Sequence, residues 1–181
     1  MIRVISGLYR GLRLKKVGHP AVRPMPDKLK TALFNILGNE VRGRVVLDGF
    51  AGTGSVGIEA LSRGAERVVF VEQLPAALSV LRHNAAKLEA GDRTRILDAE
   101  FNRAVIRLAG EGQRFDLIFL DPPYRLLDER NPLKVIRKRG VLASGGLIVL
   151  RHHFKTKFEA RFFDLKRRTM LGDDTLSFYG D

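Results

Sequence analysis

Two short motifs in this sequence combine residue types that could carry chemistry. The first begins at Asp48 and continues into a glycine-rich run. In that run Gly52, Gly54 and Gly57 match the pattern G-x-G-x-x-G. The second motif, Asp-Pro-Pro-Tyr, begins at Asp121. Each aspartate follows an apolar run, so both carboxylates are expected at the carboxyl ends of strands, where open α/β sheets bind their ligands.

The glycine run could hold a nucleotide cofactor, and its surroundings favour S-adenosylmethionine over a dinucleotide. A carboxylate at Asp48 would attract the ammonium group of the methionine part and repel a pyrophosphate. The run also lacks the lysine of a phosphate-binding P-loop. Glu72 follows Gly52 by 20 residues, at the end of the next apolar run, where an acid can accept hydrogen bonds from ribose hydroxyls.

Asp98 stands in the corresponding place after the third apolar run. It is a candidate for binding the adenine edge, and a helix cap or loop acid is a nearly equal alternative. Further cofactor contacts are expected from the residues beside these acids and in the glycine run, namely Phe50, Ala51, Thr53, Gly54, Gln73 and Ala99.

The Asp-Pro-Pro-Tyr motif contains the groups needed to hold an aromatic amine. Pro122 and Pro123 stiffen the backbone and remove two N–H donors, so carbonyl groups and the Asp121 carboxylate remain as acceptors. Such acceptors can orient an exocyclic amino group, whose lone pair is delocalised into the ring. Tyr124 offers a flat face for an extruded base. Taken alone, the motif would be interpreted as a stiff turn with a core tyrosine, but its pairing with the glycine run at the same edge of the sheet favours a chemical site.

Strands and helices alternate from residue 45 onward and must position these motifs. Apolar runs predict strands at 45–47, 68–71, 95–97, 115–120 and 147–150. Helices are predicted between them at 55–63, 75–88, 102–108 and 132–139. This alternation indicates an α/β fold with a mostly parallel sheet. Two last strands, 158–170 and 175–179, predict an antiparallel ending around the turn Gly172-Asp173-Asp174.

The first 44 residues differ from the rest in charge and in pattern. Two short strands, 2–5 and 12–17, predict a hairpin, and a helix capped by Asp27 and ended by Gly38 follows. This segment has ten basic and two acidic residues, a net charge of +8, against +4 for the other 137 residues. A local surplus of positive charge indicates a polyanionic partner, and a merely solvated basic face is the alternative. We therefore distinguish a basic extension, 1–44, from a core, 45–181.

The composition narrows the class of protein further. The absence of cysteine excludes disulfides and thiolate zinc sites. No apolar segment has the length of a signal peptide's hydrophobic region at the start or of a membrane span elsewhere. We expect a cytoplasmic protein, a monomer in its simplest form, without metal or membrane partner. The histidines, which lack metal-binding spacing, are expected at the surface or at positions facing the polyanionic partner: His19, His83, His152 and His153.

The two chemical motifs together resemble those of class I amino-methyltransferases, which act on adenine N6 in DNA or guanine N2 in ribosomal RNA. Four further stretches are similar to the RsmD-type guanine-N2 methyltransferases of bacterial small-subunit ribosomal RNA. They are RVISGLYRGLRL at 3–14, RPMPDKLKTALFN at 23–35, DGFAGTG through EALSRGA at 48–65, and GDDTLSFY at 172–179. The resemblance therefore covers nearly the whole chain.

This resemblance implies a Rossmann-like class I methyltransferase core with a mostly parallel seven-stranded sheet and an antiparallel C-terminal strand. A β-hairpin and a helix would precede it. The methyl donor would be S-adenosylmethionine, and the acceptor would be N2 of guanine 966 in 16S rRNA, free or within a partly assembled small subunit. Residues 121–124 would surround the guanine. The phosphate contacts would come from Arg3, Arg10, Arg13 and Arg23.

Two alternatives stay open beside this hypothesis. An adenine-N6 DNA methyltransferase would share the Asp-Pro-Pro-Tyr chemistry, although 181 residues leave no room for a separate DNA-reading domain. A catalytically silent RNA-binding or ribosome-assembly factor could use the same fold. The presence of Asp48, Gly52, Gly54 and Asp121 disfavours that second alternative.

Overall fold

The computed structural model describes residues 2–18, 24–123, 127, 131–156 and 161–181. The strands in these ranges are β1 Ile2–Arg3, β2 Arg13–Leu14, β3 Val45–Asp48, β4 Arg67–Glu72, β5 Thr94–Asp98, β6 Phe115–Leu120, β7 Leu142–His153, β8 Asp164–Leu171 and β9 Asp174–Gly180. The α-helices are α1 Asp27–Leu37, α2 Ser55–Ser62, α3 Pro75–Ala86, α4 Phe101–Gly110 and α5 Pro132–Arg139. Short 3-10 turns occupy Gly38–Val41 and Gly91–Arg93.

Seven strands of the described chain form one sheet in the order β5-β4-β3-β6-β7-β9-β8. Strands β3 to β7 are parallel, and β9 pairs antiparallel with both β7 and β8. The fold is Rossmann-like, as the sequence predicted. Strand order reverses between β3 and β6, and at such a switch point the connections diverge and leave a crevice at the carboxyl ends of the strands.

Helices cover both faces of the sheet, because its central strands are apolar on both sides. On one face, residues of α1 and α2 such as Phe34 and Ile58 form a core with Val46 and Phe119. On the other face, residues of α4 and α5 pack with a second core cluster that includes Leu47, Ile118 and Tyr179. The alternation of neighbouring residues between two cores is what a buried parallel strand requires.

The N-terminal hairpin is fastened to this body by buried polar contacts. The fully buried Glu59 of α2 accepts hydrogen bonds from the backbone N–H groups of Ile5 (2.7 Å) and Ser6 (3.0 Å). Its carboxylate also lies 3.7 Å from the Nζ of the buried Lys30, and it accepts a bond from Arg63 Nε at 2.9 Å. One carboxylate thus joins the hairpin, α1 and α2.

Several predicted boundaries were wrong in the N-terminal segment. Regular strand pairing in the hairpin is limited to Ile2–Arg3 with Arg13–Leu14. Val4 still donates to the Leu12 carbonyl at 3.0 Å, but the following donors, Ile5 N and Ser6 N, bond to Glu59 in place of a neighbouring strand. Helix α1 is not capped by Asp27, because Pro26 stands at the N-cap without a side-chain bond and Asp27 is the first helical residue.

Two boundaries also differ near the end of the chain. Strand β7 starts at Leu142, five residues earlier than predicted, and a register shift against β6 between Phe115 and Leu117 accommodates the glycines at 145–146. Strand β8 begins at Asp164, later than the predicted 158, and residues 157–160 lie outside the described ranges. None of the described helices is long and apolar enough to cross a membrane.

Candidate active site

An open cleft of about 910 Å³ lies at the carboxyl ends of the central strands. The glycine run and the end of β4 form one side of it, and residues 121–123 with the end of β7 and the start of β9 form the other. Pro24 and Met25, just before α1, also line it. A cleft of this size can accommodate a nucleoside cofactor together with a second aromatic group.

The glycine run is shaped by backbone groups and by one carboxylate. Glu72 Oε2 accepts a hydrogen bond from Gly52 N at 2.8 Å, and Oε1 accepts from the N–H groups of Gln73 and Leu74. Gly54 then stands at the N-cap of α2 with φ +78°, a left-handed conformation that favours glycine. Glu72 therefore fixes the run and lines the cleft at the same time.

Asp48 lies beneath the glycine run and is not part of the cleft lining. Its Oδ2 accepts a hydrogen bond from Gly57 N at 3.0 Å, and burial raises the pKa of the carboxyl from 3.8 to about 7. Burial favours the neutral acid because a carboxylate loses its hydration there. A cation above the run would restore the ionised form.

Asp121 stands directly after β6 and is held by an arginine from the neighbouring strand. Arg151 Nη1 donates to Asp121 Oδ2 at 2.8 Å, and Arg151 Nε donates to Asp174 Oδ1 at 2.9 Å. Burial raises the pKa of Asp121, and the charge and hydrogen bond of Arg151 act in the opposite direction. The arginine thus orients the carboxylate and favours its ionised form.

The other predicted cofactor residues fall into two groups. Phe50, whose ring stacks on Phe101 with centroids 4.9 Å apart, lines the cleft. So do Ala51, Gly52, Thr53, Gln73 and Ala99. Gly54 and Asp98 are not in the lining. The carboxylate of Asp98 is 61% exposed and lies 3.6 Å from Arg82 Nη2.

Of the predicted catalytic residues, the structure brings Asp121, Pro122 and Pro123 into the cleft. Tyr124 lies outside the described residues.

Three of the arginines predicted to bind RNA, Arg3, Arg10 and Arg13, are not in the cleft lining. Arg3, Arg10 and Arg13 are exposed on or beside the N-terminal hairpin, and Arg23 lies outside the described residues. The hairpin turn packs against Ser62, where Leu8 N donates to the Ser62 carbonyl at 2.8 Å. Ser62 ends α2 and Ser55 begins it beside the cleft, so the turn lies about 12 Å from the cleft edge along the helix axis.

Sequence reasoning missed the residues of the cleft that come from the C-terminal strands. These are Arg151, His153, Asp173 and Asp174. Arg151 directly follows the predicted strand 147–150, and that strand-end position is the signal that had identified Asp48 and Asp121. The two aspartates were interpreted only as a turn. His152 was expected at the surface, which is wrong: it is buried, and its Nε2 lies 2.9 Å from Ser177 Oγ.

Comparison with known proteins bears directly on this arrangement. The family model described as "Conserved hypothetical protein 95" matches residues 2–180. The chain belongs to this family, the RsmD family. It is 36% identical over 164 residues to YlbH of Bacillus subtilis, covering 91% of this chain and 89% of that protein. It is also 36% identical to "Ribosomal RNA small subunit methyltransferase D" of Escherichia coli K12, covering 81% and 72%.

A solved structure extends the comparison to the fold. An RNA methyltransferase from Salinibacter ruber, in complex with S-adenosyl-L-homocysteine, superposes with a TM-score of 0.67 at 18% identity, over 87% of this chain and 92% of that chain. This RsmD-family chain therefore shares its Rossmann-like fold with that methyltransferase. Among the described residues no group of three or more His, Asp or Glu could hold a metal.

Proposed function

We propose that this protein transfers a methyl group from S-adenosylmethionine to the exocyclic N2 of a guanine in 16S rRNA. The observation that carries the proposal is the Asp121 carboxylate, held by Arg151 at the cleft opposite the glycine run. Membership of the RsmD family and the E. coli relative's name, which specifies ribosomal RNA of the small subunit, support rRNA as substrate.

The donor fits the side of the cleft that contains the glycine run. When bound, S-adenosylmethionine supplies an electrophilic methyl group on a sulfonium sulfur. Its positive charges match the carboxylates of Asp48 and Glu72, and the Phe50 ring offers an apolar surface. We assign the amino end of the methionine part to Asp48 and the ribose to Glu72. The adenine edge is assigned to Asp98 and Ala99.

The target amine would bind at Asp121 and Pro122. The ionised carboxylate of Asp121 accepts one N–H of the amino group, and the carbonyl of Pro122 accepts the other. As the nitrogen bonds to the methyl carbon, the sulfur–carbon bond breaks, and the nitrogen then loses one proton. Asp121 can receive that proton, because its partial burial raises its pKa. Pro123 stiffens the turn, and Tyr124 would stack on the guanine.

The basic extension, 1–44, would assist RNA contact while the core, 45–181, performs the transfer. Its phosphate contacts would come from Arg3, Arg10, Arg13 and Arg23. The turn that contains Arg10 lies away from the cleft, so the contact of this arginine would involve nucleotides distant from the target. A partly assembled small subunit would offer phosphates near the target and farther from it to a monomer of this chain.

Methyl transfer is the direct test. Tritiated S-adenosylmethionine is incubated with free 16S rRNA and with small subunits, and the labelled nucleoside is identified. We expect N2-methylguanosine from the parent protein and its loss in Asp121→Asn. The matched control is Asp92→Asn, which changes an exposed aspartate in the turn Gly91–Arg93.

Each other outcome has a defined meaning. Labelled N6-methyladenosine in DNA or RNA would retain the amino-methyltransferase chemistry and overturn guanine as the target. Retention of full activity in Asp121→Asn would overturn the assigned site. Binding of RNA without any transfer would favour the silent assembly factor.

A further inference from the structure

Strand β8 forms an unusual edge of the sheet, because nearly every side chain on it is exposed. It is the last strand in the sheet order and pairs only with β9 in the described structure. Leu165 and Met170 are 47% and 60% exposed, although both are large and apolar. An edge strand that neither packs nor is covered is available for contact with another molecule.

Basic and acidic side chains lie in different parts of the C-terminal hairpin formed by β8 and β9. Residues 161–181 contain four basic and four acidic residues, so their net charge is zero. The basic side chains of Lys166, Arg167 and Arg168 are consecutive on β8. In contrast, Asp173 and Asp174 lie at the cleft. Among the described residues no carboxylate lies within 4.0 Å of Arg167 or Arg168, whereas Lys166 Nζ lies 3.4 Å from Asp164.

An aromatic side chain lies between this basic strand and the cleft. Phe154 follows β7, is 43% exposed, and its ring centroid lies 4.7 Å from that of His153, which lines the cleft. Phe154 N donates to the Asp173 carbonyl at 3.0 Å, which ties the backbone of Phe154 to the turn between β8 and β9. Lys155 Nζ lies 5.4 Å from the ring centroid. The ring therefore lies against His153 with an ammonium group beside it.

These features occur at one end of the sheet. Because β8 runs in the same direction as β7, its last residue, Leu171, reaches the edge where the cleft opens. Arg168 lies about 10 Å before that end at the usual rise of a strand. Protection of an edge strand would explain charged residues on β8. It does not explain an exposed aromatic ring at the rim of the cleft.

We infer that Phe154 and the basic strand β8 form a second RNA-binding surface, which takes the single-stranded segment adjacent to the target nucleotide. A base stacks on Phe154, and phosphates contact Lys155 and follow the exposed sheet edge, where Arg167 and Arg168 project from opposite faces of β8. Bases of any type can stack on an aromatic ring while cations follow the backbone, which is how single strands are bound without strict sequence preference. This inference rests on the proposed function, since it requires an RNA substrate in the cleft.

The charge on β8 is tested by the salt dependence of RNA binding. The double variant Arg167→Gln/Arg168→Gln is compared with Lys138→Gln/Arg139→Gln, which removes two exposed charges at the end of α5, just before β7 begins. Affinity for a labelled 16S rRNA fragment containing the target is measured by fluorescence anisotropy. We expect the slope of log affinity against log salt to fall by about 1.4 for the β8 variant. The α5 variant should keep the parent slope.

The stacking of a base on Phe154 is tested by the variants Phe154→Leu and Phe154→Tyr. We expect the leucine variant to raise the Kd for the fragment by about 5-fold to 150-fold, as loss of one stacked base does. The tyrosine variant should retain the parent affinity. Affinity for S-adenosylmethionine should be the same in all variants, which also reports that they fold.

The outcomes separate this inference from the function on which it rests. The second surface would be overturned if the β8 variant kept the salt dependence of the parent protein and Phe154→Leu kept its affinity for the fragment. This holds even when the parent protein methylates rRNA. Absence of methyl transfer by the parent protein would overturn the proposed function. Because binding is measured without turnover, the two failures are distinguishable.

Discussion

The two sides of the cleft are organised by different kinds of contact. On the glycine-run side, the carboxylates of Asp48 and Glu72 accept hydrogen bonds from backbone N–H groups between one and 20 residues away in the chain. On the other side, Asp121 is held by the side chain of Arg151, 30 residues later, which Asp174 holds in turn. The first side is thus built by two strand-to-helix turns, and the second is built by residues from three neighbouring strands.

Because of this difference, we expect amino-acid substitutions to have different effects on the two sides of the cleft. Backbone contacts tolerate many side-chain changes but demand glycine where the run packs closely. An ion pair between side chains fails when either member is removed, because the remaining charge is left partly buried. We therefore expect substitutions on the glycine-run side to alter stability or cofactor affinity. Substitutions on the Asp121 side should alter the rate and its pH dependence.

The largest effect is expected from Arg151→Met. Loss of the guanidinium leaves Asp121 without its orienting partner, and misplacement of a reacting group costs about 100-fold in kcat. The pKa of Asp121 rises further once the cation is removed, so the acidic limb of the rate profile should move to higher pH. Rates are measured from about pH 6 to about pH 9.

The control for this variant is Arg137→Met, which removes an exposed arginine paired with Asp181 at 2.6 Å. It should leave kcat unchanged, and the affinity of both variants for S-adenosylmethionine should match the parent value. A lower kcat in Arg151→Met without a shift of the acidic limb would show that the arginine has only a structural role.

Gly57→Ala tests the close packing beneath the glycine run. An added Cβ would lie 2.4 Å from Phe70 Cε1 and 2.9 Å from Val68 Cγ1, and such overpacking costs about 1–3 kcal/mol. The free energy of unfolding is measured by urea denaturation. Gly110→Ala in α4, whose Cβ would meet nothing within 4 Å, should be neutral or stabilising. Equal stability of the two variants would contradict the proposed difference.

Asp48→Asn tests the assigned contact with the cofactor's ammonium group. The pKa of Asp48 is about 7 in the free protein, and only the ionised form attracts a cation. Affinity for S-adenosylmethionine should therefore rise about tenfold from pH 6 to pH 8, and the asparagine variant should lose this dependence. Isothermal calorimetry at several pH values measures it. A parent protein with flat affinity would remove Asp48 from the binding site.

The same pKa has the opposite effect on stability. Because the folded-state pKa is raised, the folded protein binds the proton more tightly than the unfolded chain does. Between about pH 4 and pH 7 the free energy of unfolding therefore decreases as pH rises. In the absence of cofactor, Asp48→Asn should flatten this decrease, which thermal unfolding at several pH values would show.

The smallest effect is expected from Asp98→Asn. The carboxylate is exposed, pairs with Arg82 at the surface and is not in the cleft lining, so a contact with adenine would be weak. We expect affinity for S-adenosylmethionine to fall by about threefold or less, within the range of a surface polar contact. This affinity is measured by isothermal calorimetry, with Asp92→Asn as the control variant. A tenfold loss would place Asp98 among the main cofactor ligands.

Most of the fold could be predicted from local patterns. Helix α5 and strand β6 have the predicted bounds, because a proline and a glycine delimit the helix and a continuous apolar run defines the strand. The hairpin strands and the start of β7 could not be predicted. Their limits depend on Glu59 capturing the backbone donors of Ile5 and Ser6, and on a register shift against β6.

The candidate site also has a part that could be predicted from the sequence and a part that could not. The sequence by itself determined the strand-end acids Asp48, Glu72 and Asp121, because a carboxylate after an apolar run must lie at the edge where parallel strands end. Only the tertiary structure decided that Arg151 meets Asp121 and Asp174. Those three residues lie far apart in the chain, and they come together because β7 pairs with β6 on one side and β9 on the other. Which strands become neighbours is decided by contacts between distant parts of the chain, and no local pattern of residues specifies those contacts.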